Sequence, residues 1–143
     1  MSKLRSWLLQ RAKETMASEG GEDAAHDYDH LLRVMALADR IQANEGGNSA
    51  IIWAAVAFHD IGQERERSSG GDHALIGAEM AETLLTNTPF PQEFISAVQQ
   101  AIRDHRMTGG KLPQSLEGRI LYDADKIDCL GAIGISRLCY LRG

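Results

Sequence analysis

The sequence is poor in the features that mark several large protein classes. It holds two cysteines in 143 residues, Cys129 and Cys139, and they form no C-x-x-C pair. Buried free thiols in a reducing compartment are the reading this leaves. It lacks a long hydrophobic run: residues 51–58 are apolar throughout but fall far short of a membrane span. The first nine residues are briefly basic and apolar, without the long apolar stretch or small-residue cleavage site of a signal peptide, so cytoplasm is the expected location and no membrane is expected as a partner. Positive charge is not in excess. A formal net charge of −5 argues against non-specific binding to nucleic acid or acidic membranes. It leaves room for an anionic substrate, because a bound metal ion can dominate the local field. Internal repeats and low-complexity tracts are absent, and no segment shows the sustained alternation of a strand.

What is present is an ordinary globular composition, 43% hydrophobic and 24% charged, at a length that suits one domain over residues 1–143. Helical periodicity recurs between short polar breaks. The expected helices span about 2–18, 24–44 and 49–61, the last apolar nearly all round and therefore central. Residues 63–71, rich in charge, Ser and Gly, read as a mobile loop. Asp72 then caps a helix to about 86, and Pro91 suits the first turn of another, to about 106. A further helix covers about 116–128, and a tail over 130–142 reads as helical too. The predicted fold is all-α, a compact bundle of about six to seven helices.

The histidines His26, His30, His59, His73 and His105 draw attention by their company rather than their number. His59-Asp60 closes the most apolar helix, where a buried imidazole beside a carboxylate needs compensation by a cap, a salt bridge or a metal. On the dipeptide alone the simple cap or salt bridge ranks first. His30 has Asp27 and Arg33 one turn away on either side, which is either an exposed ion ladder or a pair of groups that orient a metal-binding ring. Asp123, Asp125 and Asp128 crowd six residues embedded among Ile120, Leu121, Ile127 and Leu130. Carboxylates so placed call for a cation, and spacing does not choose between Asp125 and Asp128.

Taken in order, His30-x-x-Arg33-Val34, His59-Asp60-Ile61-Gly62, His73 with Gly77-Ala78, Ala101-Ile102 with His105-Arg106, and Asp123-Ala124-Asp125-Lys126-Ile127-Asp128 resemble the HD superfamily of metal-dependent phosphohydrolases. The run from Leu130 to Arg137 is similar to one branch of small bacterial members. The resemblance implies His30, His59, Asp60 and Asp125 as metal ligands, with Asp27 and Asp128 as the groups behind them. It implies His73, His105 and Asp60 as catalytic candidates, and Arg33, Lys126 and Arg106 as candidate contacts to a phosphorylated substrate; the loop over 63–71 is either a solvated connector or a lid whose Arg65 or Arg67 meets the phosphates. Two imidazoles and two carboxylates suit Mn²⁺, Fe²⁺, Co²⁺, Ni²⁺ or Mg²⁺ in an open site better than structural zinc. His26, although one turn from His30, is expected not to be a ligand. Two departures matter. Some nucleotidase branches carry Glu three residues after the dipeptide, where this chain has Gln63 followed by Glu64. Similar bacterial proteins also continue beyond the point equivalent to Gly143, so a C-terminal helical extension is expected to be lacking here.

The reaction implied is hydrolysis of a phosphate ester or anhydride, with a nucleotide as substrate. The alternatives are a catalytically silent HD domain that binds a nucleotide or metabolite, and a structural helical domain without metal. The termini of two helices add an expectation about charge. His73 follows the cap Asp72, where the helix dipole favours a neutral ring, and His105 ends its helix, where the dipole favours the protonated ring. The oligomeric state is not legible from the sequence.

Overall fold

In the computed structural model, residues 2–21, 24–106 and 110–131 are described, apart from the side chains at positions 25 and 26. Among them are seven helices and no strand: α1 (Lys3–Ser18), α2 (Ala24–Glu45), α3 (Ser49–Phe58), α4 (Gln63–Ser69), α5 (His73–Thr86), α6 (Gln92–Asp104) and α7 (Leu116–Leu130). No described helix is long and apolar enough to cross a membrane. The expected tail helix lies outside the described residues beyond Gly131, as do Cys139 and the His26 side chain.

Helix α3 is the axis of the core. Ala54, Ala55, Val56, Ala57 and Phe58 are wholly buried, and α1, α2, α5, α6 and α7 all pack on it. Three alanines in four positions let neighbouring helices approach closely, while Phe58 supplies bulk; burying one such ring contributes about 1.5–3 kcal/mol. Asn48 caps α3 by accepting from the amides of Ala50 and Ile51, and its own amide donates to Glu117 at 2.9 Å, tying the start of α3 to α7.

The apolar periodicity over 49–61 does not all become helix. Helix α3 stops at Phe58, and His59, Asp60, Ile61 and Gly62 form a turn. Gly62 is required there. A Cβ at this position would lie 2.6 Å from the His73 carbonyl oxygen and 2.7 Å from the Gly77 amide nitrogen. Only glycine lets the first turn of α5 sit over the end of α3, and that close approach brings His73 to the His-Asp turn. Helices α5 and α6 form a pair linked by buried Gln99, which donates to the Ala78 carbonyl at 3.1 Å. Pro91 is the cap of α6 rather than a residue of its first turn.

Residues 63–69, expected to be loop, are helical. The acidic Glu64 and Glu66 occupy the first turn, and Arg67 bonds Glu64 at 3.0 Å and Gln63 at 3.4 Å across one turn of α4. Such spaced pairs stabilise a short helix that composition alone assigns to coil.

Candidate metal centre

His59 caps the C-terminal end of α3 with 1% of its surface exposed. Its Nδ1–H donates to the Val56 carbonyl at 2.6 Å, an acceptor left without a helical partner where the helix ends. Nε2 is therefore turned inward, 3.1 Å from Asp60 Oδ2 and 3.7 Å from Asp125 Oδ1. These approaches do not have hydrogen-bond geometry, and Nε2 is a buried polar atom without a hydrogen-bond partner.

His30 enters from the middle of α2. Its Nδ1–H donates to Asp128 Oδ2 at 2.6 Å, and the other Asp128 oxygen accepts from Arg33 Nε at 2.8 Å. The opposite edge of the ring places Nε2 3.0 Å from Asp125 Oδ1 and 3.5 Å from Asp60 Oδ2. One ligand atom from each of His30, His59, Asp60 and Asp125 lies within 4.8 Å of all the others. The choice that spacing leaves open is thus resolved in space: Asp125 faces the cluster, and Asp128 stands behind His30.

Two further rings approach Asp60 from its other oxygen. His73 Nε2 and His105 Nε2 are each 3.8 Å from Asp60 Oδ1. His105 Nδ1–H is held by the Ile102 carbonyl and His73 Nδ1–H by Glu66 Oε2, the latter at 3.0 Å. All four imidazoles are thus gripped at Nδ1 and point Nε2 toward the aspartates.

The electrostatics show what charge the pocket favours. Burial opposes charge on His30, yet Asp125, Asp60 and Asp128 raise its pKa to about 10. Burial likewise opposes charge on His59, and Asp60 and Asp125 push it well above the ordinary value. Asp60 and Asp125 are driven up by burial but held well down by the facing histidines. In the absence of a metal, extra protons on the imidazoles supply the positive charge that two largely dry carboxylates demand. Those protons are poor substitutes, because the one on His59 Nε2 has no aligned acceptor. A cation at the centre of a nitrogen and oxygen set needs no such alignment, so these residues fit a divalent ion.

The sequence comparisons bear on the same residues. A model of the HD domain family matches residues 27–130. The chain belongs to the HD domain family. It is 29% identical to the uncharacterized protein YpgQ of Bacillus subtilis strain 168, with 85% of this chain and 60% of that protein covered. It is 34% identical to Ribonuclease Y of Chloroflexus aurantiacus over 68% of this chain and 17% of that protein. The chain therefore spans 60% or less of the length of these curated relatives. Among solved structures, a predicted HD superfamily hydrolase from an uncultured Thermotogales bacterium superposes with a TM-score of 0.77 at 36% identity, covering 92% of this chain and 74% of that one. The Lin1889 protein of Listeria innocua gives 0.66 at 28% identity, covering 96% and 63%.

Within this HD domain the sequence-predicted cations are placed less simply than the ligands. Arg33 is bound to Asp128, beside the cluster. Arg65 donates two hydrogen bonds of 3.0 Å to Glu19, and Arg106 bonds Glu66 at 2.7 Å and Asp72 at 3.3 Å. Lys126 is exposed, its ammonium 5.4 Å from the Tyr122 ring. Arg65, Arg106 and Lys126 thus each have a local partner, as Arg67 has in Glu64 and Gln63. His30 Nδ1 is held by Asp128, and Asp27 lines a cleft together with Asp60, Gln63, Glu64 and Arg67. The expectation for His105 is also corrected. It is 3% exposed, and burial together with the neighbouring His59 lowers its pKa to about 4. Desolvation outweighs the helix dipole, so the ring is neutral at pH 7.

The residue missed from sequence is Glu66. A helix rather than a loop at 63–69 was the signal needed, since it sets the direction in which the side chain points.

Proposed function

We propose that this chain is a metal-dependent phosphohydrolase acting on a phosphate ester or anhydride of a small molecule, with nucleotides as the class to test first. The observation that carries the reading is the buried, partnerless Nε2 of His59 facing two carboxylates held ionised. His30, His59, Asp60 and Asp125 would hold the ion. Bound there, Mn²⁺, Fe²⁺, Co²⁺, Ni²⁺ or Mg²⁺ would polarise a phosphoryl oxygen and acidify a water. A site without thiolates and open on one side is unlike structural zinc.

The chain's own residues have separate tasks in this scheme. The Val56 carbonyl and Asp128 keep His59 and His30 turned to the ion. Arg33 keeps Asp128 ionised. His73 and His105 turn their Nε2 atoms toward Asp60 Oδ1, where they can exchange a proton or orient a reacting oxygen. Arg67, in the cleft that Asp60 also lines, is a candidate to meet a phosphate.

A second reading of the outer rings has its own observation. Asp60, His73 and His105 also offer three ligand atoms within 4.8 Å of one another. Asp60 would then bridge two cations, one on each carboxylate oxygen, and the outer histidines would be ligands rather than proton carriers.

One experiment addresses the function and the ion count together. Purified protein is assayed for metal content and for phosphate release over a nucleotide panel, with Mn²⁺, Mg²⁺, Co²⁺ and Ni²⁺ supplied separately. We expect at least one ion per chain and metal-dependent release from a subset of the panel. Two ions per chain would select the bridged reading. Tight metal and nucleotide binding without release under every metal would select the silent, ligand-binding alternative.

A further inference from the structure

We propose that Glu66 is the positioning residue of His73, fixing the ring's tautomer and aim from helix α4. The inference rests on the hydrolase reading for its consequence in turnover, but not for its structural content.

Each of the four imidazoles has one acceptor at Nδ1, and the sources differ. His59 and His105 take a carbonyl three residues back on their own helices. His30 takes Asp128 of α7. His73 opens α5, so no preceding turn of its own helix offers a carbonyl. Glu66 fills that place from seven residues upstream, at 3.0 Å. An ionised carboxylate can only accept, so Nδ1 must carry a proton and Nε2 is the nitrogen aimed at Asp60.

Arg106 makes the arrangement directional. Its Nη1 donates to Glu66 Oε1 at 2.7 Å, and the other oxygen, Oε2, is the one at His73. The same Nη1 lies 3.4 Å from His73 Nδ1, but a bond there would need a bare Nδ1; the shorter contacts to the carboxylate prevail. Arg106 first, and His73 with it, also hold Glu66 below the usual carboxylate range against a small cost of burial. One carboxylate thus joins α4, the start of α5 and the end of α6 at a single point beside the metal centre.

The geometry makes the isosteric amide informative. In Glu66→Gln, Arg106 remains a pure donor and claims the amide oxygen. The amide NH₂ then faces His73 Nδ1 and donates to it, which inverts the tautomer and puts a proton on Nε2. Adding Arg106→Ala frees the amide to rotate, so its oxygen can return to the ring. A role confined to holding α4 in place would not produce this sign change.

The test uses the full chain loaded with Mg²⁺, a diamagnetic ion, and reads the ring nitrogens of ¹⁵N-histidine-labelled protein by NMR. We expect His73 to be Nδ1-protonated in the wild type, Nε2-protonated in Glu66→Gln, and largely restored in Glu66→Gln/Arg106→Ala. Turnover with Mn²⁺ on whichever panel substrate the wild type cleaves should fall about tenfold or more in Glu66→Gln through kcat, with KM little changed, and recover in part in the double variant. Unaltered His73 ring shifts in Glu66→Gln would overturn the proposal, even if the wild type proves to cleave nothing. An active wild type with no panel activity lost in Glu66→Gln, despite an inverted ring, would overturn the functional half. An inactive, metal-free wild type would instead count against the hydrolase reading.

Discussion

The two buried imidazoles and the two nearer the rim are oriented by different means. His59 and His105 lie at the C-terminal ends of α3 and α6, and each hands its Nδ1 proton to a main-chain carbonyl of the turn before it. His30 and His73 are about 15% exposed in their side chains and depend on carboxylates from other elements, Asp128 of α7 and Glu66 of α4. A helix end supplies an unpaired carbonyl wherever the sequence stops the helix, so the inner pair is fixed by local structure. The rim pair is fixed only when tertiary packing delivers a side chain. Inner rings are therefore robust to mutation of their neighbours, and rim rings can be released one at a time.

Asp60 is where both pairs meet, and its replacement should have the largest effect. One of its oxygens faces His30 and His59, the other His73 and His105. Asp60→Asn keeps the shape and removes the charge that draws all four rings. We expect loss of bound metal and a fall in turnover of about a thousandfold, the scale of several kcal/mol of transition-state stabilisation. Metal content measured by elemental analysis, with turnover within tenfold of wild type, would contradict the convergence on Asp60.

Asp128→Ala should release one rim ring while leaving the inner pair intact. Metal affinity should fall by about 10–100-fold, the usual cost of losing the group behind a metal-binding histidine. Titration calorimetry would show this together with its pH dependence. His30 is raised from 6.5 to about 10 in the metal-free protein, so at pH 7 the ring carries a proton that metal binding must expel. Affinity should rise with pH up to about 10, and protons should be released on binding. In the metal-free protein the sign for stability is opposite. A raised folded-state pKa stabilises the fold fully below 6.5, and that contribution is lost as pH rises through about 10. Asp128→Ala should weaken both trends, since Asp128 is one of the carboxylates that raise His30. Unchanged affinity in this variant would mean that the rim ring needs no partner.

The same division explains what could be read from sequence. Helices α1, α2, α5 and α6 follow directly from apolar spacing with Gly and Pro punctuation, and their ends fall within two residues of expectation. The four proposed ligands were legible as a set because the motifs occur in order, although the carboxylates Asp125 and Asp128 differ by one helical turn and only packing separates their roles. Helix α4 was illegible because its charged, serine-rich composition resembles a loop, while its stability comes from the spacing of Glu64, Arg67 and Gln63. His105 was misjudged for a related reason. Its position at a helix end is visible in sequence, but the 3% exposure that overrides the dipole is a property of the assembled core.

Helix α4 also yields the smallest prediction, and it sharpens the contrast between side chains that serve the rim and those that merely decorate it. Arg65 and Arg67 are two residues apart and both 53% exposed, yet they face different neighbours. Arg65 reaches back to Glu19 at the end of α1, whereas Arg67 lines the cleft shared with Asp60 and Asp27. An exposed pair such as Arg65–Glu19 contributes about 0.2–1 kcal/mol, so Arg65→Ala should lower the melting temperature by at most a few degrees. Its kcat and KM should stay within about twofold of wild type, because Arg65 is held by two hydrogen bonds to Glu19 and does not itself line that cleft. Arg67→Ala removes the bonds to Glu64 and Gln63 across one turn of α4, so it should cost a similar few degrees and in addition raise KM severalfold, the loss expected of one partly solvated phosphate contact. Steady-state kinetics of the two variants side by side decide the matter. A larger KM effect at Arg65 than at Arg67 would mean that α4 turns its other edge to the substrate, and would return Arg65 to the role its sequence position first suggested.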